Sequence, residues 1–162
     1  MSLTHLAQAL MLLALANGAP VLAKRLFAQR WAWPVDGGLA LRDGRRLLGK
    51  SKTWRGVLFG CAVPALVAPL LDLPWTVGAL FGASAMAGDL LSSFIKRRVG
   101  VAPSGRAPAL DQLPEALLPL VVCREALGLD VGGVLLGAAL FWGGNAGLSP
   151  LLYRLGVRDR PY

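Results

Sequence analysis

The chain has 162 residues, of which 55% are hydrophobic and only 16% charged, yet its net charge is +8. A water-soluble domain carries about 25% charged residues, so the composition excludes an ordinary soluble globule. It points to a polytopic membrane protein in which apolar stretches alternate with compact Lys and Arg clusters. A nucleic-acid-binding module is excluded too, because the basic residues sit between apolar spans and no soluble fold is left to present them.

The first apolar stretch runs from Leu3 to Phe27. No Lys or Arg precedes it, which argues for a span rather than a signal peptide. Asn17, Gly18 and Pro20 predict an interruption of its helix, tolerated at membrane depth only where protein or a polar cavity satisfies the freed backbone groups. Residues 28 to 53 then form a basic loop. Within it, GRRLLGKS (44–51) satisfies the formal phosphate-loop pattern. That pattern's chemistry needs a buried strand before it, a helix after it and a βα sheet around it. Here VDGGLALRD (35–43) predicts a short strand at most, and the residues after Ser51 run into a membrane helix, so a phosphate-loop fold is excluded. The local physics survives. Gly44 and Gly49 permit close backbone approach, and Lys50, Lys52 and Arg55 stand at a helix N-terminus, which favours an anion. The plainer alternative is a basic membrane anchor without a ligand.

A second span begins near Trp54, and Asp72-Leu73-Pro74 predicts a tight turn with Pro74 as the first helical residue of the third span. That span is about 25 residues, or roughly 38 Å, longer than the roughly 30 Å hydrocarbon core, so its basic end should protrude. Asp89, Ser93 and Lys96 are spaced i, i+4, i+7 and share one face. Asp89 falls roughly 23 Å along the helix, near the basic boundary, where a carboxylate is costly and marks a functional site. An ion pair with Lys96 or Arg97 would explain it structurally. It would not explain Asp111, a second carboxylate on the same membrane side before the next helix. Two carboxylates beside dense Lys and Arg suggest Mg²⁺ between carboxylate and phosphate oxygens. Gly82 and Gly88 would let a helix or a ligand come close.

The fourth apolar stretch, residues 113–128, holds Pro119 and reads as short or re-entrant; the fifth covers Val131 to Leu148. Cys61 and Cys123 lie in apolar segments without metal-ligand spacing, and His5 is the single histidine, which excludes a His/Cys zinc site. Nine of the seventeen Lys and Arg residues fall between Lys24 and Arg55, four between Lys96 and Arg106, three in the C-terminal tail, and Arg124 stands alone. The positive-inside rule then places both basic loops and the C-terminus in the cytoplasm and the N-terminus outside. The expectation is one all-α domain over residues 1–162: a bundle of about five transmembrane helices in the cell membrane, its site on the cytoplasmic side.

The blocks LGKSKTWRG (48–56), GDLLSSFIKRR (88–98) and LDQLPE (110–115), with ANGAP (16–20) and PVDGG (34–38), resemble the CDP-archaeol synthase family of integral membrane cytidylyltransferases. The chain is more distantly similar to bacterial phosphatidate cytidylyltransferases. The resemblance covers nearly the whole chain and implies transfer of CMP from CTP to a lipid phosphate, with release of pyrophosphate and with Mg²⁺ as cofactor. Carried over by position, Lys52, Thr53, Trp54 and Arg55 match one block. Asp89, Ser93, Phe94, Lys96 and Arg97 match the second, Asp111 and Gln112 the third, and Asp36 a further motif. The implied roles are metal for Asp89 and Asp111, CTP phosphates for Lys50, Lys52, Thr53 and Arg55, and lipid phosphate for Ser93, Lys96 and Arg97. The third motif departs from the family's D-Q-x-D, since Pro114 replaces its second acidic residue. Glu115, one position later, is either a replacement ligand or an acidic residue of a first helical turn.

Three rivals follow from the same residues. A CDP-alcohol phosphotransferase needs clustered aspartates that this chain lacks. For a transporter, 162 residues without paired repeats argue against it unless it oligomerises. A non-enzymatic protein that binds anionic lipid through its basic loops predicts salt-sensitive lipid binding without Mg²⁺-dependent CTP binding. The lipid itself, isoprenoid ether or diacyl phosphatidate, is not encoded in apolar helix residues.

Overall fold

The structure is a computed structural model that describes residues 2–101 and 108–154, without the side chains of 108, 109, 111, 146 and 148–154. Five helices follow in order: α1 (Leu3–Phe27), α2 (Trp54–Val67) continued by a 3-10 turn (Ala68–Leu71), α3 (Trp75–Arg98), α4 (Pro108–Val122) and α5 (Val131–Arg154). No strand forms among the described residues beyond two isolated bridges, Pro34 with Thr53 and Ala40 with Arg46. The protein is all-α, and α1, α2 with its 3-10 turn, and α3 are each long and apolar enough to cross a membrane.

Three expectations need correction. The helix of α1 runs unbroken through Asn17, Gly18 and Pro20. Pro20 forfeits one backbone bond, but the stripe Ala16, Ala19 and Ala23 is buried against the bundle and keeps the helix in register. Pro74 caps α3 with extended geometry (ψ 141°) instead of opening its first turn. The turn before it works because Asp72 adopts the left-handed conformation (φ +57°), which aspartate tolerates better than most residues. Finally, α4 starts five residues earlier than the apolar pattern suggested and ends at Val122. At 15 residues it reaches roughly 22 Å, short of the hydrocarbon core.

The rest of the fourth segment is turn, anchored in the protein by its apolar residues while Arg124, Glu125 and Ala126 are exposed. Cys123, Leu127 and Leu129 are buried, and the amides of Leu127, Gly128 and Leu129 donate to the carbonyls of Cys123, Glu125 and Arg124. Non-helical backbone at membrane depth is acceptable when it is covered and bonded in this way. Gly128, at φ +60°, packs against the His5 ring of α1, so this turn is wedged under the start of the first helix.

Glycines set the helix spacing. A Cβ on Gly78 or Gly82 would overlap the backbone of α2 at Pro64 or Gly60, and one on Gly88 would overlap the Pro114 carbonyl and lie 2.9 Å from Cα of Glu115. Small residues are how membrane helices approach closely, since no hydrophobic force distinguishes a neighbouring helix from lipid. The main apolar cluster, with Leu12, Leu13, Phe81 and Leu120 at its centre, fills the end away from the basic loops. Toward the basic end the core thins to Ala16, Ala85 and Met86, and polar side chains take over.

Candidate active site

The basic loop is built around one carboxylate. Asp36 is buried and accepts hydrogen bonds from the Gly38 amide at 3.0 Å, Arg46 Nη2 at 2.5 Å, and the amides of Leu48 at 3.1 Å and Gly49 at 3.0 Å. Burial pushes its pKa up, but the bonds from Arg46, Gly49, Gly38 and Leu48 outweigh that and hold it well below the usual carboxylate range. This explains the phosphate-loop pattern physically: the amides of Leu48 and Gly49, which a true phosphate loop would offer to its ligand, are given to Asp36. The loop is then tied to α3 by two arginines in reciprocal fashion. Arg45 donates to the carbonyls of Arg97 and Arg98 at the end of α3, while Arg98 donates to the carbonyls of Arg45 and Arg46 and to Asp43.

The KTWRG block divides between tasks. Lys52 Nζ meets both oxygens of Asp89 at 2.6 and 2.7 Å, with each side chain about three-quarters buried. Asp89 is thus paired across 37 residues of sequence with the loop, the partner that helical spacing did not reveal. Thr53 is the N-cap of α2, its hydroxyl accepting from the Gly56 amide. Arg55 is buried and donates to the carbonyls of Ala28 and Arg30 at 2.9 and 2.6 Å. It clamps a turn in which Ala28 and Trp31 hold positive φ, a conformation that costs a non-glycine residue about 1–2 kcal/mol. Both residues were expected on CTP phosphates; both line the chamber that opens among the helices, and they also hold the loop and the start of α2.

Two chambers flank the Lys52–Asp89 pair. One, of about 810 Å³, lies between the loop and the end of α3 and is lined by Arg45, Arg46, Lys50, Lys52, Lys96 and Arg97, with the buried Ser93 in its wall. The other, of about 820 Å³, opens among the helices and draws Asn17 and Lys24 from α1, Met86 and Asp89 from α3, Glu115 from α4 and Asn145 from α5. They share the segment Lys50-Ser51-Lys52 as a common wall. Ser93, Lys96 and Arg97 line the first chamber and not the second, whereas Lys50 lines both. Arg45, Arg46, Lys24 and Asn145 also line the chambers and were not singled out in the sequence. The sequence signal for Asn145 is an amide inside an otherwise apolar stretch, FWGGN.

Of the carboxylates expected at a metal, Asp89 and Glu115 line the same chamber. Asp111 lies in α4, one turn before Glu115, and its side chain is outside the described residues. No cluster of three or more His, Cys, Asp or Glu able to hold a metal occurs among the described residues. Mg²⁺ does not require one, since it commonly takes one or two carboxylates and fills its octahedron with water and substrate phosphate oxygens. The donor set therefore fits Mg²⁺ in chemistry.

Comparison with known proteins places this architecture. The family model for CarS-like CDP-archaeol synthase matches residues 26–74 and 73–162. The CDP-archaeol synthase of Sulfolobus acidocaldarius is 35% identical over 135 residues, covering 80% of this chain and 83% of that protein. That of Pyrococcus furiosus is 35% identical over 143 residues with the same coverage, and that of Thermococcus kodakarensis is 32% identical over 162 residues, covering 91% and 89%. A solved structure described as an intramembrane enzyme for archaeal membrane lipid biosynthesis matches with a TM-score of 0.71 at 33% identity, over 92% of this chain and 89% of that one. The family model runs through the basic loop and α2 to α5, and the protein belongs to the CDP-archaeol synthase family.

Proposed function

We propose that the protein transfers CMP from CTP to an archaeal-type ether lipid phosphate, forming a CDP-activated lipid and pyrophosphate in membrane phospholipid biosynthesis. The observation that carries this reading is the pair of chambers with a common wall. The basic chamber offers the cation density a triphosphate needs, the other opens among membrane helices, and Lys52 and Asp89 stand where the two meet.

In this reading the lipid phosphate oxygen attacks the α-phosphorus in line. One P–O bond forms, the α–β P–O bond breaks, and pyrophosphate leaves with the electron pair. Such a reaction asks the protein for positioning and charge neutralisation above all. Lys50, Lys96 and Arg97 hold the β- and γ-phosphates, with Ser93 beside them. Lys52, on the wall, releases Asp89 when nucleotide arrives and turns to the phosphate at which charge develops. Asp89 and Glu115 would hold Mg²⁺, with Asp111 a turn away on α4, and the ion would supply neutralisation of the nucleotide's phosphate oxygens. Arg55 and Thr53 act indirectly, by fixing the segment that carries Lys52. The positive-inside rule puts this machinery on the cytoplasmic side, where CTP is found.

The test is an assay of purified protein in detergent with CTP, Mg²⁺ and lipid phosphates of isoprenoid-ether and diacyl type, with CDP-lipid read by mass spectrometry. The expected product comes from the ether phosphate, disappears with chelator, and falls at least about a thousandfold in Asp89→Asn while that variant still folds. Activity retained in Asp89→Asn would remove this residue from the metal site. Absence of product from every lipid would favour a lipid-binding protein without catalysis.

A further inference from the structure

Two amides line the chamber that opens among the helices, where an apolar helix would ordinarily place Leu or Ala. Asn17 comes from α1 and Asn145 from α5, and polar side chains at membrane depth are expensive unless they serve a site. Asn17 Nδ2 donates to the Leu13 carbonyl at 3.0 Å, which uses one of the amide's two hydrogens and leaves its second hydrogen and its oxygen for other partners. The helices that carry them are packed together farther out, where Gly137 of α5 lies against Leu6 of α1 and Leu120 of α4. Around the amides, four glycines leave open space where a side chain would stand. A Cβ on Gly18 of α1, or on Gly143, Gly144 or Gly147 of α5, would meet nothing within 4 Å.

Depth orders the chamber. Lys24 lies seven residues beyond Asn17 on α1, so their Cα atoms are separated by about 10 Å along the axis, with Lys24 nearer the basic boundary. Helical side chains lean toward the helix N-terminus, which brings the lysine ammonium back toward Asn17. A phosphate at Lys24 and Lys52 with its glycerol backbone one turn deeper spans that interval. Resting on the function proposed above, we infer that Asn17 and Asn145 bind the glycerol backbone of the lipid phosphate. They hydrogen-bond its ether oxygens and leave the chains to run out past Gly18 of α1 and the glycines of α5. They are substrate-positioning residues for the acceptor, with no part in holding nucleotide.

The experiment compares wild type with Asn17→Leu, Asn145→Leu and the milder Asn17→Ser. Two quantities are read: thermal stabilisation of the detergent-solubilised protein by a dialkylglycerol phosphate, and by CTP with Mg²⁺. Transfer kinetics are measured in parallel. The Leu variants are expected to need about tenfold more lipid phosphate for the same stabilisation, with KM for the lipid raised alike and the CTP response within twofold of wild type. Asn17→Ser, which keeps a donor and the space, should lose less. An unchanged lipid response overturns the inference, as does an equal loss for lipid and CTP, which would mark a merely structural role. If wild type binds the lipid phosphate without making CDP-lipid, the proposed function fails while the variants still decide this point. If wild type does not respond to the lipid phosphate at all, the inference is overturned whatever happens to CTP.

Discussion

Cations can grip a triphosphate only if the backbone behind them is fixed, and in this loop Asp36 does the fixing. Its carboxylate gathers Arg46 and the amides of Gly38, Leu48 and Gly49, so the residues around Lys50 inherit their shape from a side chain fourteen positions earlier. Removing one partner from a buried, bonded pair costs about 3 kcal/mol, and Asp36→Asn should lower stability by that order at pH 7. The pH dependence has a definite sign. The folded-state pKa is depressed, so the ionised group's contribution is complete above its unfolded pKa of about 3.9 and is lost as pH falls toward the folded value. Unfolding measured from pH 7 to pH 3 should therefore show wild type and Asp36→Asn converging only below about pH 4; a gap that closes near neutrality would refute this role. At this scale the sequence was partly legible. Asp89 announced itself as a carboxylate at membrane depth, and the basic residues beside it suggested its chemistry. Its partner did not, because Lys96 lay at the visible helical spacing while Lys52 was 37 residues away and reachable only through the fold. The same holds for Arg55, whose Nη1 ties down the carbonyls of Ala28 and Arg30, a partnership that no sequence spacing revealed.

Among elements, the contact between α3 and α4 decides whether a metal site exists. Gly88 lets the two helices touch at Pro114, which brings Glu115 into the chamber that holds Asp89. The proline that breaks the family's acidic pattern is thus the residue whose carbonyl seats against the glycine, and the acidic group next to it lines the shared chamber. A methyl group at position 88 would strike backbone, which cannot rotate away as a side chain can. Gly88→Ala should destabilise by about 1–3 kcal/mol and, by displacing Glu115 about an ångström, reduce kcat about a hundredfold. CTP should still protect the protein thermally through the basic chamber. Unimpaired turnover in a folded Gly88→Ala variant would mean that Glu115 is not a ligand. Element positions were the most legible part of the sequence, since a long apolar run with a basic end suits a membrane-crossing helix and little else. Proline misled twice: Pro20 suggested a break that alanine packing prevents, and Pro74 was expected as the first helical residue of α3 but caps it. The start of α4 was hidden because LDQLPE carries no apolar periodicity until Leu113.

For the molecule as a whole, charge and parity make one claim: the N-terminus and the turns at Asp72 and Arg124 face one side, and both basic loops face the other. The weak link is the fourth segment, because α4 alone is too short to cross and the crossing depends on the turn from Cys123 to Leu129, which is anchored by buried Cys123, Leu127 and Leu129. If that turn completes the passage, Glu125 is outside while Arg42, in the basic loop, is inside. Single-cysteine variants separate the two topologies, because Arg42 and Glu125 are both exposed and the native thiols give little background. Cys123 is buried and Cys61 half-buried, and thiols in apolar surroundings are inert. A membrane-impermeant maleimide added to intact cells should label Glu125→Cys at once and Arg42→Cys only after the membrane is opened. Labelling of both from outside would reverse the assignment of the basic loops. Protection of both would mean that α4 and its turn form a re-entrant hairpin, with α5 beginning on the basic side. That outcome would also separate α5 from the outer end of α1, where Leu6 meets Gly137, so the topology and the packing of the chamber among the helices stand or fall by the same measurement.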